Sequence, residues 1–149
     1  MSRAEIVQLG CADLAQLESL LRANQLPADD CADQAHRFCA IYRGDQLIAA
    51  GAIEAAGQFG LLRSVVVRED CRGMGLARNI TAHLLQQARE EGRLAIYLLT
   101  ETAEAYFAAL GFSLIPRSDA PPALTRTRQF SSLCPDSASC MCLQLRCDR

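Results

Sequence analysis

Val65-Val66-Val67-Arg68-Glu69-Asp70-Cys71-Arg72-Gly73-Met74-Gly75-Leu76-Ala77 is the stretch on which the fold turns. Three consecutive valines read as a buried strand, because branching at Cβ suits a pleated, packed surface. The run stops at charged residues, and a short loop follows. Gly73 and Gly75 remove side chains where a ligand could approach the backbone, and both tolerate positive φ. From Leu76 the apolar residues fall on one helical face, Leu76, Ile80, Leu84 and Ala88, with Ala77 and Leu85 alongside. Gly92 is a stop signal just past Glu91. A strand, a glycine loop and a helix start in that order form an anion site: free N–H groups and the positive end of the helix dipole point the same way. Arg72 and Arg78 flank it with fixed charge. A purely structural turn without a ligand is the plainer reading of two glycines before a helix.

The stretch is not a P-loop, since no Gly-Lys-Ser/Thr follows, and it lacks the third glycine and distant acid of a dinucleotide fingerprint. Arg72-Gly73-Met74-Gly75-Leu76-Ala77 resembles the acyl-CoA pyrophosphate loop of the GNAT acetyltransferases, whose pattern is Gln/Arg-x-x-Gly-x-Gly/Ala. A second block, Thr100-Glu101-Thr102-Ala103-Glu104-Ala105-Tyr106-Phe107-Ala108-Ala109-Leu110-Gly111-Phe112, lies at that family's distance downstream. The resemblance covers residues 40–115 well and the ends loosely. It implies an α+β GNAT fold: a mixed, mostly antiparallel sheet of about six or seven strands flanked by helices on both faces. It also implies an acyl-CoA-binding splay between the central strands.

Working outward, the 149 residues fit one domain, 1–149. Half of them are hydrophobic, enough for a core, and a net charge of −2 leaves no basic nucleic-acid footprint. All 15 cationic side chains are arginine, which carries no functional reading here. The opening Met-Ser-Arg-Ala-Glu lacks the apolar segment of a signal peptide, and no stretch approaches a membrane span. A cytoplasmic location is therefore the expectation, with no membrane and no nucleic-acid partner. Eight cysteines then read as reduced thiols rather than a disulfide frame.

The remaining elements follow in order. Residues 5–9 read as a first strand, and 11–22 as a helix on Leu14, Leu17 and Leu21. Residues 24–33 read as a loop, or a loop carrying a short helix, and by resemblance as a lid over the acceptor. Strands over 38–43 and 46–55 meet at the Gly44-Asp45 hairpin signal. The strand over 58–67 leads into the loop, and 94–99 is an apolar strand expected to pair in parallel with the valine-run strand. A helix over 101–110 ends at Gly111. A strand over 112–115, a loop over 116–122, a helical stretch over 123–133 and a last strand over 140–145 complete the chain.

The resemblance assigns roles. The pantetheine arm lies along Val65, Val66 and Val67, pairing with the backbone of Val65 and Val67 as an added strand. The loop Arg72, Gly73, Met74, Gly75, Leu76, Ala77 and Arg78 holds the diphosphate, and Thr100 and Phe107 belong to the same acetyl-CoA site. A backbone N–H near Val65 is the oxyanion donor. The family's general-acid tyrosine, four residues before the Gly-Phe glycine, falls on Phe107. Tyr106 stands one place earlier, turned about 100° on a helix, so it is a catalytic candidate or merely a packed tyrosine with a wet hydroxyl. The frequent asparagine at the end of the preceding strand is Thr100 here, and a frequent strand glutamate falls at Leu61. Glu54 is a candidate base acting through water, or a solvated strand residue.

Phe107 in the tyrosine's place, with Leu-Thr-x-x-Ala ahead of it, is similar to amino-acid acetyltransferases related to N-acetylglutamate synthase. The run 130–141 is similar to a branch named for its place beside arsenic-resistance genes. An amino-acid acceptor needs a cation for its carboxylate. Arg63 is the leading candidate, with Arg126 and Arg128 behind it; the plainer reading of Arg63 is a strand arginine reaching solvent. His36 and His83 have no partner at metal-ligand spacing, so no metal is expected.

The expected function is acetyl transfer from acetyl-CoA to a primary amine of a small molecule, an amino acid or analogue, with a homodimer as a family-level expectation. Two alternatives stand beside it. One is a non-catalytic acyl-CoA sensor. The other is a metalloid-binding protein using Cys134, Cys140 and Cys142, against which stands the reading of these as small buried apolar groups.

Overall fold

The computed structural model describes residues 5–133 and 137–145. The elements are β1 (Val7–Gln8), α1 (Leu14–Ala23), β2 (Phe38–Arg43), β3 (Gln46–Ala56), β4 (Phe59–Val67), α2 (Leu76–Glu90), β5 (Ala95–Thr100), α3 (Glu104–Ala109), β6 (Ser113–Ile115), α4 (Pro122–Thr125) and β7 (Ser139–Gln144). The strands form one seven-stranded sheet in the order β1-β2-β3-β4-β5-β7-β6. The registers of β1 on β2, β2 on β3, β5 on β7 and β6 on β7 are antiparallel, and β4 on β5 is parallel. This is an α+β fold with a mixed, mostly antiparallel sheet, as the resemblance implies.

The parallel pair runs in the expected direction, but its register falls on Phe59–Leu61 against Ala95–Tyr97, not on the valines. The helical stretch expected over 123–133 is interrupted. Pro122 opens α4, where its missing N–H costs nothing. Thr127 Oγ1 then donates to Leu124 O at 2.7 Å and accepts from the Phe130 N–H at 3.4 Å. That side chain competes with the helical ladder, and the chain resumes as a π-helical turn over Gln129–Leu133.

The chain divides into two compact units, Met1–Ile53 with Ser64–Gln87, and Glu54–Arg63 with Ala88–Arg149. In the first, α1 buries Leu17, Leu20 and Leu21 against Phe38, Ala40, Ala50, Ala52 and Val66. Each such leucine contributes about 2 kcal/mol on leaving water. The small residues of β3 alternate. Ala50 and Ala52 face α1, and Gly51 between them faces α2, where a Cβ would lie 2.7 Å from Ile80 Cγ2 and 3.4 Å from Leu84 Cδ1. Glycine therefore sets how closely α2 lies on the sheet. Polar ties hold α1 to the hairpin. Tyr42 Oη donates to Asp13 at 2.6 Å and accepts from the Gly10 N–H, and Gln16 Oε1 accepts from the Leu47 N–H at 3.0 Å.

The second unit packs Leu61, Ala95, Tyr97, Cys140 and Cys142 with Ala120, Leu124 and Phe130. Arg117 lies 5.5 Å over the Phe130 ring and donates to the Phe130 carbonyl at 2.8 Å. Among the described residues no helix is long and apolar enough to cross a membrane.

Candidate functional site

The loop after β4 leaves its backbone open at two glycines. Gly73 has φ +84° and Gly75 φ +78°, conformations that any other residue adopts at a cost. A Cβ built on either glycine would meet nothing within 4 Å, so the protein's own packing does not require them to be bare. Leu76, the first residue of α2, is buried and pins the helix start to the core, while Arg72, Met74 and Arg78 are exposed around it. The Asn79 N–H closes the first helical turn onto the Gly75 carbonyl at 3.0 Å. The N–H groups before it lack intrahelical acceptors, as in any first turn.

Beside the loop lies a cavity of about 630 Å³ lined by Leu20, Ala23, Asn24, Gln25, Arg68, Glu69, Asp70 and Arg72. Its two arginines are held differently. Arg68 makes a two-pronged ion pair with Asp70, at 2.9 and 2.7 Å, and donates to Gln46 at 2.6 Å. The Arg68 guanidinium holds the Asp70 carboxyl below the usual carboxylate range. The guanidinium of Arg72 donates instead to the Asn24 side-chain carbonyl, an uncharged partner 48 residues away in sequence. Sequence reading gave no signal for Asn24.

Within β4, Ser64 has φ +59°, which is left-handed backbone in mid-strand. The strict alternation that would put Arg63 on the face of Val65 and Val67 is broken at that residue. Val66 is buried; Val65 and Val67 are half-buried. Arg63 is buried, and its guanidinium meets Glu54 at 3.0 Å with side-chain exposures of 0% and 15%. The candidate base and the leading substrate cation are thus partners of each other.

In the second block, Thr100 Oγ1 accepts the Ala103 N–H at 3.0 Å, so its hydroxyl serves the approach to α3. Phe107 is buried, edge-to-face with Phe112 at 5.8 Å and with Tyr106 at 5.2 Å. Tyr106 is 39% exposed, on the outward side of the same helix. One residue's shift along α3 buries the Phe107 ring and leaves Tyr106 partly exposed.

The sequence profile of the Acetyltransferase (GNAT) family matches residues 10–112. The chain belongs to the GNAT family. A curated relative, the [citrate [pro-3S]-lyase] ligase of Escherichia coli, is 31% identical over 103 residues, which is 68% of this chain and 27% of that protein. The chain thus spans about a quarter of that relative's length. Among solved structures, N-acetylglutamate synthase from Neisseria gonorrhoeae, complexed with coenzyme A and N-acetyl-glutamate, superposes with a TM-score of 0.83. Identity is 15%, over 98% of this chain and 36% of that one. A Mycobacterium tuberculosis protein solved in complex with CoA gives 0.80 at 20% identity, covering 95% of this chain and 99% of that one. A GNAT acetyltransferase from Staphylococcus aureus gives 0.77 at 14% identity, covering 97% and 100%. At such identities these likenesses establish the GNAT fold.

The GNAT chain keeps its other candidates apart from the loop in sequence. Arg126, at the end of α4, and Arg128 are exposed. Cys140 and Cys142 are buried on β7. Burial pushes the Cys140 thiol up to about 11, and burial also raises Cys142, whose sulfur is hydrogen-bonded to Tyr97. Cys134 lies outside the described residues, as does the His36 side chain. Among the described residues no group of three or more His, Cys, Asp or Glu side chains converges to hold a metal ion.

Proposed function

We propose that this GNAT chain transfers an acetyl group from acetyl-CoA to the primary amine of a small molecule, an amino acid or a close analogue. One observation carries the reading: two left-handed glycines with open space around them, leading directly into the first turn of α2. A diphosphate needs N–H donors and no obstructing Cβ; the open Cβ positions of Gly73 and Gly75 and the unpaired N–H groups of a helix start support that reading. Arg72 and Arg78 supply the charge, and the Val65–Val67 backbone receives the pantetheine arm by strand addition.

Acetyl-CoA supplies an activated thioester. The neutral amine attacks its carbonyl carbon, and the oxygen that gains the electron pair is held by the backbone N–H at Val65. The C–S bond breaks, the thiolate departs, and the surplus proton on nitrogen leaves through water, with Glu54 as the relay. An acceptor carboxylate reaches Arg63 only by displacing Glu54 from a 3.0 Å ion pair. The exposed Arg126 and Arg128 are therefore the more accessible cations. A narrower form of the reading, a link to arsenic resistance, rests on the 130–141 run alone.

Steady-state thiol release with acetyl-CoA and a panel of amino acids tests the proposal. Turnover that saturates in one amine supports it; absence of any heat with CoA in calorimetry on folded protein removes it. The buried Phe107 in the tyrosine's place favours a second reading, an acyl-CoA sensor. Tight CoA binding with no thiol release across the panel would select that one.

A further inference from the structure

Resting on the acyl-CoA reading of the loop, we propose that Asn24 is a positioning residue: it orients Arg72 toward the CoA diphosphate without neutralising it. Asn24 caps the end of α1, and its backbone N–H is bonded to the Leu21 and Arg22 carbonyls. Its side-chain Nδ2 donates to the Leu20 carbonyl at 2.9 Å. With the nitrogen end of the amide so fixed, the oxygen end faces the Arg72 guanidinium and accepts its hydrogen bond.

Charge is the decisive point. Two arginines line the same cavity. Arg68 is matched by Asp70, so its charge is neutralised within the protein. Among the described residues no carboxylate pairs with Arg72. Glu69 lines the cavity but makes no ion pair with Arg72, and Asp70 is engaged by Arg68. An exposed arginine explores many rotamers, and a ligand that captures it must fix them all. An amide partner removes that freedom yet leaves the full positive charge for an incoming anion. A carboxylate at residue 24 would pair with Arg72 and cancel its charge, and it could not donate to the Leu20 carbonyl.

The test measures CoA and 3′-dephospho-CoA affinity by calorimetry on the full chain, with thermal melts alongside. Asn24→Ala should weaken CoA by about 5- to 10-fold through lost preorganisation. Asn24→Asp should weaken it further, by about 30-fold, because its carboxylate cancels the Arg72 field and, having no N–H, also gives up the bond to the Leu20 carbonyl; the melts report the stability cost of that lost bond. Both losses should be equal for 3′-dephospho-CoA, which retains the diphosphate. On an Arg72→Ala background, Asn24→Ala should change affinity no further.

Wild-type protein that ignores CoA would remove the acyl-CoA reading itself. If the wild type binds CoA and both Asn24 variants stay within twofold of it, Asn24 has no positioning role. The role is refuted equally if Asn24→Asp weakens binding less than Asn24→Ala, or if the loss vanishes with 3′-dephospho-CoA.

Discussion

Glu54 and Arg63 show how one contact redistributes roles at the scale of single residues. Each is interpretable alone in the sequence, one as a base and one as a cation. Their 3.0 Å ion pair, with the arginine side chain fully enclosed, makes them a structural unit first. Glu54→Ala should destabilise the protein, since it removes the 3.0 Å ion-pair partner of a buried guanidinium; urea unfolding measures this. The loop glycines behave oppositely. Their Cβ positions are open, so the fold itself has little to lose. Gly75→Asp should lower stability by only about 1 kcal/mol, the cost of a side chain at positive φ. On the proposed reading of the loop, CoA affinity should fall by about 100-fold, because the new carboxylate would meet the incoming diphosphate. Calorimetry and a thermal melt on the same sample separate the two effects.

Element ends repeat a single device. Gly92 after α2 and Gly111 after α3 are left-handed, and each is followed by a reverse bond, Arg93 N–H to Ala88 O and Phe112 N–H to Phe107 O, at 3.1 Å in both cases. These are Schellman caps, and glycine at that position makes them legible. The end of α1 has the same pattern, Leu26 N–H to Leu21 O at 2.9 Å and Gln25 N–H to Arg22 O at 3.1 Å, but places Gln25 at φ +58°. Nothing in the sequence signals that cap. Gln25→Gly should raise stability by about 0.5–1 kcal/mol by relieving the left-handed strain, readable as a higher urea midpoint. The kink at Ser64 was invisible for the same reason: a serine carries no mark of positive φ.

For the whole molecule, alkali is the informative stress. Cys140 is raised from 9.0 to about 11 chiefly by burial, and Tyr97 from 10.0 to about 12 by burial and its hydrogen bond to Cys142. Below the ordinary pKa both states keep these protons, and their contribution to stability is complete. Above it the unfolded chain ionises first, so stability falls as pH rises through 9 to 11 for Cys140 and 10 to 12 for Tyr97. Each group contributes a slope of about 1.4 kcal/mol per pH unit within its window. Urea midpoints taken between pH 8 and 11 should decline, and Cys140→Ala should shallow that decline.

The amino-acid sequence by itself determined the element order, the hairpin at Gly44-Asp45, the glycine stops and the glycine loop ahead of α2, because these depend on neighbours within a few positions. Periodicity, turn chemistry and backbone freedom are local properties, and they are written where they act. Tertiary structure alone decided that Glu54 meets Arg63, that Asn24 meets Arg72 across 48 positions, and that Phe107 points inward while Tyr106 faces water. Those outcomes depend on which strands and helix faces are brought together, and pairing between distant side chains leaves no periodic trace in the chain that makes it.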